Sequence, residues 1–389
     1  MRENGNRSKG RSRQTGSLAV VGTGIAAIGH MTLEAIGYIK NADVVFYHAN
    51  SGVTASYVRE LNANAIDLYE YYGEGKVRNI TYVQMAELML REVRRGLSVV
   101  GLFHGHPGYF VKAGRRALAI AQMEGYETLL LPGISATDCL FSDLRIDPGV
   151  IGVQILKASH VLRKKVVLAT NNHVVLIQVA SVGDNTFSFS GFKHAKLDRF
   201  FDKLISIYGE DHESVYYIAS IFPGLEPVMI VRTLGEYRQK EAQDTVKAAT
   251  LYLPPVRVSV ESLTNLQAFH NGNPYGRFEQ EAIKELDRHE TPVGFRNRGA
   301  SGPMLRAMIE LATNPSEARN FQRTPREFLT RHRDLSDSEL KALASRETGR
   351  MRSVTTTIVT PVPQTPPGDS LPRKVANVVG RRALAKLGS

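Results

Sequence analysis

Apolar positions in the first third of the chain follow two rhythms. Short apolar runs at Leu18–Val21, Val44–Tyr47 and Val99–Phe103 stop at turn residues, while Val83, Met85, Leu88, Leu90 and Val93 recur at near-helical spacing. Bounded runs read as buried strands and the longer period as helix. The pattern predicts strands running through 17–24 into a glycine turn and at 43–48, 98–103 and 128–131, with helices over 31–40, 81–96 and 113–124. Strands alternating with helices predict a mostly parallel sheet covered on both faces. After a break at Asp147-Pro148-Gly149, strands are predicted at 150–156, 174–179, 214–220 and 227–233. The last, from Thr250, is stopped by Pro254 and Pro255, which cannot extend a ladder. Residues 17–147 and 148–256 thus read as two α/β lobes.

Beyond Pro255 the rhythm is lost. Residues 257–301 are polar and poor in strand signals, and 302–350 turn helical, with Met304–Ala312, a stop at Asn314-Pro315, and Pro325–His332. A further helix opens on Ser336, with Glu339 placed to complete a capping box. Residues 351–389 are too short and too broken by proline to bury a core and read as an extended peptide.

Composition narrows the function classes. The 389 residues carry one cysteine, Cys139, so neither an intrachain disulfide nor a multi-cysteine metal site is available, and a reducing compartment is expected. No apolar run approaches the roughly 18 residues of a membrane span. Residues 1–16 lack the apolar stretch of a secretory signal, so a cytoplasmic protein without membrane or metal is expected. The net charge of +11 sits mostly in two tails, +4 in the basic, disordered-looking residues 1–16 and +5 in 351–389. The body between them is nearly neutral, which argues against nucleic acid as partner.

Three clusters carry candidate chemistry. Gly22-Thr-Gly24-Ile-Ala-Ala27 has the spacing of a dinucleotide fingerprint, but the second strand ends in Asn50 where a ribose-binding acid belongs, so a tight turn is preferred to a nicotinamide site. Gly105-His106-Pro107-Gly108 and Leu131-Pro132-Gly133-Ile134-Ser135-Ala136 both close strands, at the edge where parallel sheets bind ligands. The third, residues 69–82, packs Tyr69, Tyr71, Tyr72 and Tyr82 around Arg78. It reads either as a half-exposed aromatic surface or as a pocket in which a cation lowers a phenol's pKa from about 10, so that it can take a proton.

The segments VGTGIAAIGHMTLEAIGYIKNADVVFY, DLYEYYGEGKVRNITYVQMAELMLREVRRG, VVGLFHGHPGYFV and LLLPGISATDCLFSDL resemble the tetrapyrrole-methylase fold, and within it the borosin peptide backbone α-N-methyltransferases. The resemblance implies a two-lobed S-adenosylmethionine-dependent enzyme followed by a dimerising clasp (257–301), a helical precursor-binding module (302–350) and its own core peptide (351–389). It implies an interlocked homodimer, with the core delivered in trans and freed by a downstream protease. By position it assigns catalysis to Tyr72 and Arg78, with Tyr69 and Tyr82 beside them. It assigns the cofactor to Gly105, His106, Pro107, Gly108, Tyr109, Phe110, Ser135, Ala136 and Gln178. Where the family has a tyrosine before the GHPG loop, this chain has His104.

The tail suits a substrate. Val354, Thr355, Thr356, Thr357, Ile358 and Val359 are all β-branched and favour extended chain. Proline has no N–H to modify, so Pro361 and Pro363 leave Val354–Thr360 and Val362 as the expected methylation window. Two other readings keep the fold: a small-molecule methyltransferase of the tetrapyrrole type, and a non-enzymatic peptide-binding scaffold.

Overall fold

The computed structural model describes residues 15–354 except 164–165, 245, 247–248, 257–276 and 287–299. The described residues divide into two compact units, one taking in the chain to Arg288 together with Ile309–Arg323, the other His289–Met308 and the residues from Thr324 onward.

In the first unit, strands β1 (Ser17–Gly22), β2 (Val44–His48), β3 (Ala65–Asp67), β4 (Ser98–Phe103) and β5 (Glu127–Leu130) form a sheet in the order β3-β2-β4-β1-β5. All its pairings are parallel. The apolar runs of β1, β2 and β4 are continuous because both faces are covered. Leu18, Val20 and Val99 pack with Met85, Met89 and Ala117 of helices α3 (Arg78–Arg94) and α4 (Lys112–Met123). On the other face Ala19, Val21 and Val100 meet Ala35 and Ile39 of α1 (Leu33–Asn41) and Val58 of α2 (Gly52–Leu61). Burying each Leu, Val, Ile or Met side chain among these contributes about 1.5–3 kcal/mol.

The second lobe differs in kind. Helix α5 (Ala136–Asp143) leads to a short helix α6 (Pro148–Ile151), where the sequence predicts the start of a strand. Pro148, its N–H not needed in a first turn, and the Asp147 cap bonded to Gly149 N–H at 2.8 Å favour the helix instead. Strands β6 (Val153–Lys157), β7 (His173–Ile177), β8 (Glu213–Ile218), β9 (Val228–Thr233) and β10 (Thr250–Leu253) follow in the order β6-β7-β10-β8-β9, a mixed sheet in which only β6 and β7 are parallel. Leu140 and Leu144 from the first lobe share a core with Val175, Val215 and Tyr252, and the Tyr217 hydroxyl donates to Asp143 at 2.5 Å across the same seam. Helix α7 (Leu197–Tyr208) buries Phe200, Phe201 and Leu204 in the remaining core.

Residues 309–323 also belong to this first unit. Arg319 lies over the Tyr38 ring at 5.9 Å, Arg323 pairs with Glu127 at 2.5 Å, and a Cβ at Gly37 would meet Thr313 O at 2.3 Å.

Within the second unit, helix Asp337–Ser345 begins on the capping box expected of Ser336 and Glu339. Ser301 donates a further bond to the Glu339 carboxylate at 2.6 Å. No helix among the described residues is long and apolar enough to cross a membrane.

Candidate active site

The parallel strands of the first sheet deliver their carboxyl ends to one edge, and there the loops after β1 and β4 lie backbone against backbone. Gly22 permits this, since a Cβ on it would sit 2.2 Å from Gly105 O and 2.8 Å from Pro107 Cδ. Gly105, at φ +74, donates its N–H to Gly24 O at 3.0 Å. Helix α1 does not start until Leu33, capped by Thr32, so the glycine turn never opens directly into a helix as a dinucleotide fingerprint requires. Asp43 accepts from Ser98 N at 2.7 Å at the opposite, amino end of the strands.

A cavity of about 300 Å³ opens at this carboxyl edge. His104, Gly105, His106, Tyr109 and Phe110 line it from the loop after β4, Ser135 and Ala136 from the start of α5, Arg78 from the start of α3, and Gln178 from the second lobe. Sequence reasoning missed Ile25, Thr137, Ile177, Ser181, Phe192 and Thr250, which also line it. Phe110 and Gln178 hold left-handed backbone, φ 61 and 58, which non-glycine residues adopt at a cost of about 1–3 kcal/mol and which clusters at functional sites. Pro107 and Gly108 stand outside the lining. Pro107 packs towards Gly22 and Gly133, and Gly108 N–H donates to His106 Nδ1 at 3.0 Å.

Tyr69, Tyr72 and Tyr82 are likewise not in the lining but form a cluster beside Arg78. Tyr72 packs against Phe187 with centroids 4.5 Å apart and planes tilted by 31°, and Tyr69 and His48 approach it at 5.5 and 5.6 Å. Phe187 is brought there by a two-stranded ribbon between the lobes. Gly75 N donates to Phe187 O and Phe187 N to Lys76 O, both at 2.8 Å, and Arg78 N donates to Asn185 O at 3.0 Å. The same ribbon fixes the guanidinium, whose Nε donates to Thr186 O at 2.9 Å while its Cζ lies over the Phe192 ring, 5.0 Å from the ring centre. Phe187 and Phe189 alternate with Thr186, Ser188 and Ser190, a short strand-like pattern, but only the fold reveals which residues it faces.

The electrostatics correct one expectation. Burial, joined by the hydrogen-bonded Tyr82 hydroxyl, holds the Tyr72 phenol well above its ordinary range and outweighs the lowering by Arg78. The resting phenol is neutral. Burial, helped by His48, pushes His104 down to about 4, and its Nε2 lies 3.0 Å from Asn50 Nδ2.

A wider groove of about 610 Å³ beside α5, lined by His30, Asp138, Cys139 and Asp143, holds none of the sequence-predicted site residues. Burial there pushes the Cys139 thiol up to about 11, so it is not a reactive thiolate.

Residues 17–249 match the Tetrapyrrole (Corrin/Porphyrin) Methylases and residues 274–365 the Borosin biosynthesis clasp domain. The chain is 40% identical over 354 residues to the methyltransferase/ribosomally synthesized cyclic peptide dendrothelin A precursor of Dendrothele bispora, covering 84% of this chain and 85% of that one. The chain belongs to the borosin methyltransferase–precursor family. The omphalotin A precursor of Omphalotus olearius is 38% identical over 356 residues, with 85% of each covered. The type I borosin precursor of Coprinopsis marcescibilis is 38% identical over 353 residues, covering 85% of this chain and 90% of that one. In this borosin chain the clasp match takes in the helices from Gly302 onward and reaches into the tail. Of the expected methylation window only Val354 is described. It ends helix Thr348–Val354 rather than starting an extended segment, because that helix packs on Asp337–Ser345 and its continuation overrides local β-propensity. Thr355, Thr356, Thr357, Ile358, Val359, Thr360 and Val362 lie outside the described residues.

Proposed function

We propose that the chain α-N-methylates backbone amides of its own C-terminal segment with S-adenosylmethionine. The observation that carries this reading is the junction of the Tyr72 cluster with the cavity through Arg78. The donor set suits such a cofactor: an apolar wall of Ile25, Ile177 and Ala136, with a few polar groups, among them His104, Ser135 and the Gln178 amide. When bound, the cofactor supplies an electrophilic methyl on a positively charged sulfur.

The chain's own residues handle the amide. A peptide nitrogen is a poor nucleophile because its lone pair is delocalised into the carbonyl. Tyr72, as phenolate, takes the N–H proton, and Arg78 offsets the negative charge that moves onto the carbonyl oxygen. Phe187 covers part of Tyr72 and Phe192 part of Arg78, which lowers the local dielectric and strengthens the interaction. Covalent attachment of the segment replaces a bimolecular encounter by a high effective concentration.

Intact mass of the purified chain should show increments of one methyl each, placed by fragmentation within 354–362, and the tail should remain attached because a separate protease frees it. An unmodified mass with ample cofactor sinks the reading. Delivery in trans within a homodimer is part of the proposal. In mixed dimers formed by co-expressing a chain lacking the Tyr72 hydroxyl with one trimmed after 354, the former's tail should be methylated, and no methylation in the isolated mixed dimer means delivery in cis.

A further inference from the structure

Asn50 and His104 lie 54 positions apart in sequence, at the carboxyl ends of the neighbouring strands β2 and β4. His104 N–H donates to His48 O at 3.1 Å, which fixes the backbone at the root of the ring. Asn50 Nδ2 stands 3.0 Å from His104 Nε2. An amide nitrogen can only donate, so Nε2 accepts and the proton of the neutral ring resides on Nδ1. Nδ1 has no hydrogen-bond partner among the described residues, and the ring lines the cavity.

We propose that Asn50 is a positioning residue that locks His104 in its Nδ1–H form and so presents a neutral donor to an acceptor atom of the cofactor in the cavity. The inference rests on the cavity holding the methyl donor, as proposed above. Burial supports it, because a ring pushed down to about 4 stays uncharged at neutral pH and does not repel a cationic sulfur. The imidazole N–H thereby stands in for the hydroxyl that a tyrosine would offer at this position. A merely space-filling Asn50 predicts something else, since aspartate has the same shape.

The test uses the full chain with 15N-labelled histidine at about pH 8.5, the His104 signals being identified by their loss in His104→Tyr. Wild type should show a bare Nε2 and a protonated Nδ1, and Asn50→Asp, which can only accept, should move the proton to Nε2. Calorimetry with S-adenosylhomocysteine should show about fivefold weaker binding in Asn50→Asp, the size expected of one lost neutral hydrogen bond. Asn50→Leu should lose less, since it frees the tautomers without reversing them. In a His104→Tyr background, changing Asn50 should have no effect on binding. A protonated Nε2 in wild type, or an Asn50→Asp chain that binds like wild type, overturns the assignment. A wild type that binds the probe normally but adds no methyl groups defeats the methylation reading alone, and one that binds no probe removes both.

Discussion

Tyr72→Phe should give a chain that folds, takes up the cofactor and gains no methyl groups, a fall in rate of about 10²–10⁴. Phenylalanine keeps the packing against Phe187, whose ring centre is 4.5 Å away, and removes only the oxygen that accepts the proton. Because burial and Tyr82 hold the phenol above its ordinary range, only a small fraction is ionised near neutrality. The sign follows: raising the pH increases that fraction, so the wild-type rate should climb by up to about tenfold per unit and show no plateau up to about pH 9. Arg78→Ala should cost about 10²–10³ by leaving the carbonyl oxygen's charge uncompensated. Arg78→Lys should recover only part of this, since one ammonium cannot both sit over the Phe192 ring and donate to Thr186 O as the guanidinium does. Time courses of intact mass decide each case. Wild-type increments in Tyr72→Phe, or a rate indifferent to alkaline pH, would remove Tyr72 from the chemistry.

The first lobe was legible in the chain because each of its main signals is local. A buried run ending in glycine marks β1, and strand β4 and helices α3 and α4 fall within a few residues of their periodic patterns. Helix α7 carried a comparable signal, with Leu197, Phe200, Phe201, Leu204 and Ile205 on one face, and α5 had Ser135 and Asp138 in capping-box positions. Both signals are local and lie in the sequence itself. The site divides along the same line. Glycine loops and tyrosine spacing are properties of neighbours in sequence, so the residues around Gly105 and Arg78 could be named without coordinates. Phe187, Phe192 and Asn50 could not, because each acts on a partner that only strand order and the ribbon at 75–78 and 185–187 bring near. The phenol's acidity escaped for another reason. Proximity of a cation is visible in sequence, but burial, which here outweighs it, is a property of the folded environment.

The second large effect should come from a single methyl group. Gly22→Ala places a carbon 2.2 Å from Gly105 O, well inside contact distance and against backbone that has no rotamer to change. The loops after β1 and β4 must part, which breaks the bond from Gly105 N to Gly24 O and shifts His104 and His106 at the cavity wall. Overpacking of this kind costs about 1–3 kcal/mol. The displacement should also weaken S-adenosylhomocysteine binding by at least about tenfold, because the moved loop carries His104, Gly105, His106, Tyr109 and Phe110 of the lining with it. Gly52→Ala is the matched control. Gly52 opens α2 and has nothing within 4 Å of its would-be Cβ, so stability there should change by no more than about 0.5 kcal/mol. Denaturant unfolding and calorimetry on the two variants separate a general intolerance of added bulk from the specific approach of two strand ends. If Gly22→Ala binds the probe as wild type does, the cavity does not depend on that approach, and the placement of the cofactor against the Gly105 loop fails with it.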